Sequence, residues 1–345
     1  MGVSLGVSVR VLVDLESLNM AESVGNVTKH RKAPVVVPRE DGYRLVYVPV
    51  ISGMSLAHHY QRVLAHYAKM MGLPVTRMSL EGYFLKFSDD KVIRAYYPEV
   101  QGKAKKTDLC GSERAIVQAC TVADVGGFLY TDGPVKRTSR FSFSYMMPAL
   151  DSIRAGAVGV YPQMHVRYTP KAEKEAQALI YVDNSSALYT LTFMLDIAGI
   201  GYLDTCSALS GKPQALSADE RLERYDASVK ALIAMLGNMG FGAKRSRSFP
   251  HWRVESIVAI ANTGPVPLVP SPGHSKDYIQ ATIRRAEAQK SLGVISDYHA
   301  AYYADPEIGS TIGLPEKGRS AGSLEEAIND AAAWARERFK RELGL

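Results

Sequence analysis

The chain has 345 residues, of which 46% are apolar, and a formal net charge of +6. This size allows one large or two modest globular domains with a substantial core, and the mild positive excess permits a nucleic-acid partner without requiring one. The three cysteines, Cys110, Cys120 and Cys206, lack CxxC spacing, so we expect neither a disulfide framework nor a zinc site.

The N-terminal stretch gives no reason to expect secretion or membrane insertion. Residues 1–15 alternate like a strand and carry no signal-peptide cleavage pattern. A membrane-spanning helix requires a run of about 18 apolar residues, and the sequence contains no such run. We therefore expect a cytoplasmic protein without a membrane partner.

The first predicted elements are a strand, a polar loop and a hairpin. Residues 7–18 alternate between apolar and polar side chains, which is typical of a strand. The polar loop that follows ends in a basic cluster at 29–32. Residues 33–38 and 43–51 then predict two strands joined by a turn at 39–42.

Residues 46–71 predict a buried strand, a break at Ser52-Gly53 and a long amphipathic helix. The predicted core stripe of the helix is Leu56, Tyr60, Val63, Tyr67, Met70 and Met71, with Met54 as a further core candidate, and its polar stripe is Ser55, His59, Arg62, His66 and Lys69. Two interpretations of the helix start remain open. Ser52 and Ser55 can cap the helix, or the unpaired N–H groups and partial positive charge of this end can bind a phosphate.

The middle of the chain is less regular. Residues 74–150 contain a polar, basic stretch with Lys103, Lys105 and Lys106, which we expect to be mobile. A break at Gly126-Gly127 follows. Residues 134–147 then predict a strand whose start carries Lys136, Arg137 and Arg140. A projecting hairpin over 160–185 is the simplest account of the next segment. Alternation places His165 on its polar face, where a structural role and a binding role are both open.

The last third predicts a helix at 217–239, a strand at 253–261 and two closing helices near 275–291 and 323–342. Ser217 with Glu220, and Ser323 with Glu326, have capping-box spacing. The predicted core stripe of the 217–239 helix is Leu222, Tyr225, Val229, Leu232, Ile233 and Leu236.

The main elements follow the order strand, helix, strand, strand, helix, strand. This is the ferredoxin-like, RRM-type order of an α+β fold. A large insertion after the first helix and a smaller hairpin before the second interrupt it.

The usual enzyme signatures are absent from the sequence. It contains no GxSxG, GxxxxGK[ST] or HExxH motif, and no acidic pair has the spacing of a two-metal nuclease site. We therefore predict no catalytic residues, no metal and no cofactor.

A Gly-rich basic loop at 240–248 offers a different chemistry. Gly240 and Gly242 allow the backbone to approach a ligand closely. Lys244, Arg245 and Arg247 can then contact backbone phosphates. The alternative is a solvated turn with a basic bias.

The chain resembles the backbone subunits of archaeal type I-A CRISPR surveillance complexes, the Cascade autoregulator family of the repeat-associated (RAMP) superfamily. The stretches that carry the resemblance run in order through the chain: VLVDLESLNMAESVGNVTKHRKAPVVV (11–37), YVPVISGMSLAHHYQ (47–61), ADVGGFLY (123–130), VKRTSR (135–140), QMHVRY (163–168), SSALYTLTF (185–193) and GAKRSR (242–247). Residues 74–120 and the tail after 290 carry no matching stretch.

The resemblance implies a right-hand shape. Its palm, a modified ferredoxin-like fold, would comprise 1–73 and 186–345, its finger-like insertion 74–150 and its thumb-like hairpin 151–185. Such subunits polymerise into a helical filament along a single-stranded CRISPR guide RNA, whose course the thumbs interrupt at regular intervals. The implied partners are that RNA, the target DNA strand through the guide, copies of the chain itself and other Cascade subunits.

The family is generally non-catalytic. Carried over by motif position, the expected RNA contacts are Asn19, His30, Arg31, Ser52, Ser55, His59, Lys136, Arg137, Arg140, His165, Lys244, Arg245 and Arg247. Two alternatives stay open. One is a metal-independent endoribonuclease that uses His165 as acid or base and Lys244 to stabilise charge; the other is a nucleic-acid-binding transcriptional regulator.

Overall fold

A computed structural model describes residues 2–86, 89–97, 108–167, 178–206 and 213–345. The helices of these residues are α1 Gly53–Met70, α2 Arg77–Leu80, α3 Asp90–Tyr96, α4 Leu109–Ala119, α5 Thr121–Gly126, α6 Leu150–Arg154, α7 Ala218–Gly237, α8 Tyr278–Ser291 and α9 Leu324–Leu343. The strands are β1 Gly2–Glu16, β2 Met20–Val24, β3 Val27–His30, β4 Lys32–Arg39, β5 Gly42–Pro49, β6 Phe128–Tyr130, β7 Val135–Arg137, β8 Phe141–Phe143, β9 Met147–Pro148, β10 Val158–Arg167, β11 Ala178–Asp196, β12 His251–Gly264, β13 Asp297–Ala304 and β14 Arg319–Ser320. The fold is a mixed α+β arrangement built on one large mixed sheet.

Three long antiparallel strands form the centre of that sheet. β1 lies between β11 and β12, and β8, β9 and β10 pair with β11 on its other edge. The sheet continues through β13 and β14 beyond β12, and through β3 and β2 beside the start of β11. Because β11–β3 and β13–β14 are parallel pairs, the sheet is mixed.

Helices cover one face of the sheet. The alternating apolar residues of β1 join the main core with α1, α7 and α9, as expected for a strand whose side chains alternate between faces. Tyr60 of α1 is fully buried among Phe141, Phe143 and Phe193. Its hydroxyl donates to the Ser228 carbonyl of α7 at 3.0 Å, so one side chain joins the first helix to both the sheet and the second helix.

Helix α8 covers the opposite face of β12. Its Tyr278, Ile279 and Ile283 pack with Val258 and Ile260 in two smaller apolar clusters. A surface cation on α8 therefore lies on the other side of the sheet from α1.

The long predicted helices and their caps are confirmed. Ser217 Oγ accepts from the Glu220 N–H at 3.2 Å, and Ser323 Oγ accepts from the Glu326 N–H at 3.2 Å. The predicted strand at 253–261 is confirmed within the longer β12. The hairpin over 160–185 is present as β10 and the start of β11, although its tip, like Lys103, Lys105 and Lys106, lies outside the described residues.

The buried face of α1 differs in part from the predicted core stripe, so this prediction is partly wrong. Met54 and Met70 are exposed, whereas Leu64, Ala65 and Ala68 are buried together with the predicted Leu56 and Tyr60. The physical reason is that α1 packs against the sheet and α7 at once, so small residues on the α7 side are buried in place of the long ones.

Two strand assignments also need correction. Residues 20–30, predicted as a loop, form the β2–β3 hairpin, whose turn Gly25 adopts φ 58°. Residues 134–147, predicted as one strand, form three short strands with a break at Arg140. The strand breaks because backbone groups in this stretch form hydrogen bonds with other segments. For example, the Arg140 N–H donates to the Val125 carbonyl at 2.8 Å.

The expectation of no disulfide is wrong. Cys110 of α4 is bonded to Cys206, with a sequence separation of 96 residues. Cys120 remains free and buried. Sequence spacing missed this bridge because its two halves belong to segments that meet only in the tertiary structure.

We expect Cys206→Ser to lower the free energy of unfolding by about 2–4 kcal/mol, because the bridge restricts a long loop in the unfolded chain. Denaturant titrations of the oxidised wild type, the reduced wild type and the variant measure the effect. Cys120→Ser serves as the matched control, since it removes a thiol without opening the bridge. Equal stability of oxidised and reduced wild type would contradict the expectation.

Among the described residues, no helix has the combined length and apolar character required to cross a bilayer.

Candidate nucleic-acid interface

The start of α1 is tied to the segment that follows β1. Ser52 caps the helix, its Oγ accepting from the Ser55 N–H at 3.3 Å. The Ser52 N–H donates to Asn19 Oδ1 at 2.9 Å. The neighbouring Gly53 is required by packing, since a Cβ there would lie 2.7 Å from the Phe143 carbonyl oxygen of β8. Ser52 thus caps α1 and also connects the start of the helix to Asn19.

Arg31 is held in the same place through its backbone. Its N–H donates to the Asn19 carbonyl and its carbonyl accepts from the Val50 N–H, both at 2.9 Å. Among the described residues, the buried Nε of Arg31 has no hydrogen-bond partner. A buried guanidinium N–H without an acceptor is costly, and a phosphate oxygen would satisfy it.

His30 lies beneath this surface. It is buried, with Nε2 2.6 Å from Glu16 Oε1 and Nδ1 2.9 Å from the Arg31 carbonyl oxygen. Glu16 also accepts from Tyr189 Oη at 2.9 Å and from the Leu18 N–H at 2.7 Å. Both ring nitrogens therefore face acceptors, the arrangement that suits an imidazolium. His30 therefore supports Arg31 from below, and neither of its ring nitrogens is free for an RNA contact.

The pKa values of this pair shift apart. Burial opposes charge on both groups, but the hydrogen bond and charge of Glu16 raise the pKa of His30 above its ordinary 6.5, and His30 lowers the pKa of Glu16 below 4.5. The raised pKa of His30 contributes stability that is present below pH 6.5 and is lost as the pH rises through the folded value.

We expect the unfolding free energy of the wild type to decrease between pH 6 and pH 9 relative to His30→Gln, which cannot titrate there. Denaturant midpoints of both proteins across this range measure the difference. Parallel pH profiles of the two proteins would show that His30 is not charged in the folded state.

The Gly-rich loop 240–248 meets both neighbours of this surface. The Gly242 N–H donates to His59 Nε2 at 3.2 Å, and the Ala243 N–H donates to the Leu18 carbonyl at 2.9 Å. His59 Nδ1 lies 2.7 Å from the Ser55 carbonyl oxygen. His59 must be neutral to accept from Gly242, and burial with the charges of Arg62 and Arg245 lowers its pKa accordingly. His59 therefore joins the loop to α1 rather than presenting a free ring.

The cations of the loop face outward. Lys244 and Arg247 are exposed and Arg245 is half-buried. Among the described residues, the buried Nε of Arg245 has no hydrogen-bond partner. We call the set Asn19, Arg31, Ser52, Ser55, His59 and loop 240–248 the α1 cluster, because hydrogen bonds connect its members into one continuous surface.

The β10–β11 hairpin adjoins this cluster. His165 lies on β10, half-buried, opposite Ile180 of β11. From the same strand, Gln163 Oε1 accepts from Asn184 Nδ2 at 3.3 Å, and Ser17 Oγ donates to Asn184 Oδ1 at 2.7 Å. Ser17 precedes Leu18 and Asn19, so the hairpin is linked to the cluster by side-chain hydrogen bonds.

The predicted 136–140 basic group is placed elsewhere. Arg140 donates to Asp204 at 2.6 Å and lies near Asp196, at the far end of β11 from Ser185. The β11 stretch from Ser185 to Asp196 spans roughly 35 Å. Lys136 is exposed on β7. β7 pairs with β6 in a separate two-stranded sheet.

Arg137 is fully buried. Its guanidinium donates to Glu113 at 2.9 Å and to Asp124, and to the carbonyls of Gly199 and Tyr202. A cation with this many internal acceptors has no free donor geometry to offer an RNA phosphate. We therefore assign Arg137 and the largely buried Arg140 a structural role, which the sequence pattern alone does not distinguish from an RNA contact.

Most residues of the α1 cluster are predicted from the sequence, but the residues that support it are not. Glu16, Ser17 and Asn184 order the surface from below. The carboxylate of Glu16 at the end of an apolar strand was a usable signal, because a charge at the end of a buried strand requires a partner. No group of three or more His, Cys, Asp or Glu residues that could hold a metal occurs in the described part of the chain.

Residues 7–283 match the family model described as CRISPR-associated negative auto-regulator DevR/Csa2. The match includes every predicted RNA-contact residue.

Curated relatives cover most of the chain. A Saccharolobus solfataricus protein named CRISPR-associated aCascade subunit Cas7/Csa2 2 is 41% identical, covering 89% of this chain and 93% of its own. A Methanocaldococcus jannaschii protein named CRISPR-associated protein Cas7/Cst2/DevR is 28% identical, over 94% and 98%. A solved chain titled CRISPR RNA-guided surveillance complex aligns over 96% of this chain and 99% of its own, with a TM-score of 0.48 and 11% identity.

Proposed function

Since the chain belongs to the CRISPR-associated DevR/Csa2 family, we propose that it is a non-catalytic backbone subunit of a type I-A Cascade complex. In this role copies of the chain assemble side by side along a single-stranded CRISPR guide RNA, together with other Cascade subunits. The guide then pairs with the target DNA strand. The observation that carries the proposal is the α1 cluster, a hydrogen-bonded surface with outward cations at the end of the central sheet.

The strand order supports a ferredoxin-like palm within this proposal. β12, β1, β11 and β8 are consecutive antiparallel neighbours, with α1 and α7 packed on one face. This is the order expected when the second, third and fourth strands of the motif are β8, β11 and β12. We assign the palm to 1–73 and 186–345 together with β8, the fingers to the rest of 74–150, and the thumb to 151–185.

The RNA track follows the α1 cluster in this proposal. The hydroxyls of Ser52 and Ser55 and the side-chain amide N–H of Asn19 donate to phosphates and riboses. Arg31, Lys244, Arg245 and Arg247 supply the positive charge, and two of these cations carry the unpaired Nε–H groups that a phosphate would fill. His165 borders the track from the β10 strand, and Lys136 lies outside it on the finger side.

Labelled single-stranded RNA incubated with the protein in EDTA tests the proposal. We expect a retained, uncleaved complex that binds more tightly than duplex DNA of the same sequence. A site-specific RNA product would support the endoribonuclease alternative instead. Preference for duplex DNA would support a transcriptional regulator, and either result would overturn the proposal.

A further inference from the structure

An exposed aromatic ring stands at the end of the basic loop. Phe249 is 63% exposed, directly before the buried Pro250 and the start of β12. The nearby aromatics behave differently: Phe241 is buried and packs against Trp252 with ring centroids 5.5 Å apart. The main apolar core contains Phe241 but not Phe249.

Phe249 has a cationic partner on the same loop. The Arg245 guanidinium carbon lies 5.3 Å from the centroid of the Phe249 ring, which is within cation–π range. Lys244 and Arg247 flank this pair with exposed charge. An aromatic ring with a neighbouring guanidinium, set among phosphate-binding cations, is the arrangement that stacks single-stranded bases.

We propose that Phe249 is a stacking platform for a nucleobase of the bound RNA. This role rests on the proposed function and adds a contact to the base, where the cations of the loop contact the backbone.

The loop is built to hold such a platform in place. The N–H groups of Arg247 and Ser248 both donate to the Lys244 carbonyl at 3.0 Å, which closes a turn in which Lys244 adopts φ 56°. The loop is further fixed at Gly242 and Ala243 to α1 and Leu18. Pro250 restricts the residue before it to an extended conformation. A pre-ordered ring loses little conformational entropy on binding.

Stacking and phosphate contact leave different signatures in a salt series. Stacking adds a term that salt does not screen, whereas each phosphate contact steepens the dependence of log K on log salt. Phe249→Ala should therefore weaken RNA binding roughly 5- to 150-fold, the range for losing one stacked base, at every salt concentration and without a change in slope.

Fluorescence-anisotropy titrations over a salt series test the platform with two oligonucleotides of equal length: a normal RNA and one with an abasic site at each position. We expect Phe249→Ala to lose affinity for the normal RNA only, and Phe249→Trp to retain or exceed wild-type affinity. Leu292→Ala, which truncates another exposed apolar residue on the α8 side of the sheet, serves as the control.

The outcomes distinguish failure of the proposed RNA-binding function from failure of the stacking role alone. If wild type does not bind RNA, the proposed function and the platform both fail. If wild type binds and Phe249→Ala binds as tightly with the same slope, the platform alone is wrong. If Phe249→Ala loses equal affinity for the abasic oligonucleotide, or its slope falls, the residue acts on backbone contacts and the stacking role is overturned.

Discussion

Replacing Asp124 by asparagine is expected to lower the free energy of unfolding by about 3–5 kcal/mol. Asp124 is fully buried on α5 and accepts from Arg137, from Arg224 at 2.9 Å and from the Gly201 N–H at 3.1 Å. Asparagine keeps the shape but removes the charge. Arg137 keeps Glu113 and Arg224 keeps Glu220, but the buried network then carries one more cation than anion and loses the acceptor that both guanidinium groups share, which is the costly part of the change.

Denaturant titration of Asp124→Asn measures this loss. The matched control is Glu81→Gln, which neutralises the carboxylate of an exposed i, i+4 pair with Arg77 and should leave stability unchanged, because solvent screens such pairs. A loss no larger in Asp124→Asn than in Glu81→Gln would show that the network carries no stability.

The Asp124 carboxylate should also make the stability of the fold sensitive to acid. Burial alone would raise the pKa of Asp124, but the charges of Arg137 and Arg224 lower it below the ordinary 3.8. A lowered pKa contributes stability that is present above pH 3.8 and is lost as the pH falls through the folded value. Asp124→Asn should therefore show a weaker loss of stability below pH 4 than the wild type.

Removing the three loop cations is expected to weaken RNA binding and to reduce its salt dependence. If Lys244, Arg245 and Arg247 each contact one phosphate, the triple alanine variant should bind single-stranded RNA roughly 50-fold more weakly at 0.15 M salt, and the slope of log K against log salt should fall by roughly 2. The loss should be uniform across RNA sequences, because phosphates carry no sequence information.

The control removes three equal charges from the opposite face of the sheet. Lys276, Arg284 and Lys290 are exposed on or beside α8, so their triple alanine variant has the same net charge as the loop variant. It should bind RNA with nearly wild-type affinity and slope. Equal losses in both variants would mean that binding responds to total charge, and that the loop is not the track.

The sequence predicted the parts of the fold that depend on local patterning. The caps at Ser217 and Ser323 and the alternation of β1 are signals within one element, and both were confirmed. The burial of Arg137 and the bond between Cys110 and Cys206 are not local. They depend on α4, α5 and the turn after β11 meeting in space, which no spacing within the chain encodes.

In the candidate site, too, the sequence predicted the features that depend on local chemistry and not those that depend on tertiary contacts. Ser52, His59 and the 240–248 loop were singled out from local chemistry, and hydrogen bonds bring them together. The sequence could not separate residues that touch a ligand from residues that hold others. Burial lowers the pKa of both His59 and His30, but the Glu16 carboxylate raises the pKa of His30 above its ordinary value, whereas Arg62 and Arg245 lower that of His59 further. These surroundings appear only in three dimensions.

The central claim is that copies of the chain line up along a guide RNA through the α1 cluster. Light scattering coupled to size-exclusion chromatography, with single-stranded RNAs of increasing length and excess protein, tests it directly. We expect the mass of the complex to rise in steps of one 37.7 kDa subunit plus the added RNA, and the loop triple variant to show no such series at a protein concentration that just saturates the wild type. One subunit per RNA at every length, or an unchanged series in the loop variant, would contradict the account.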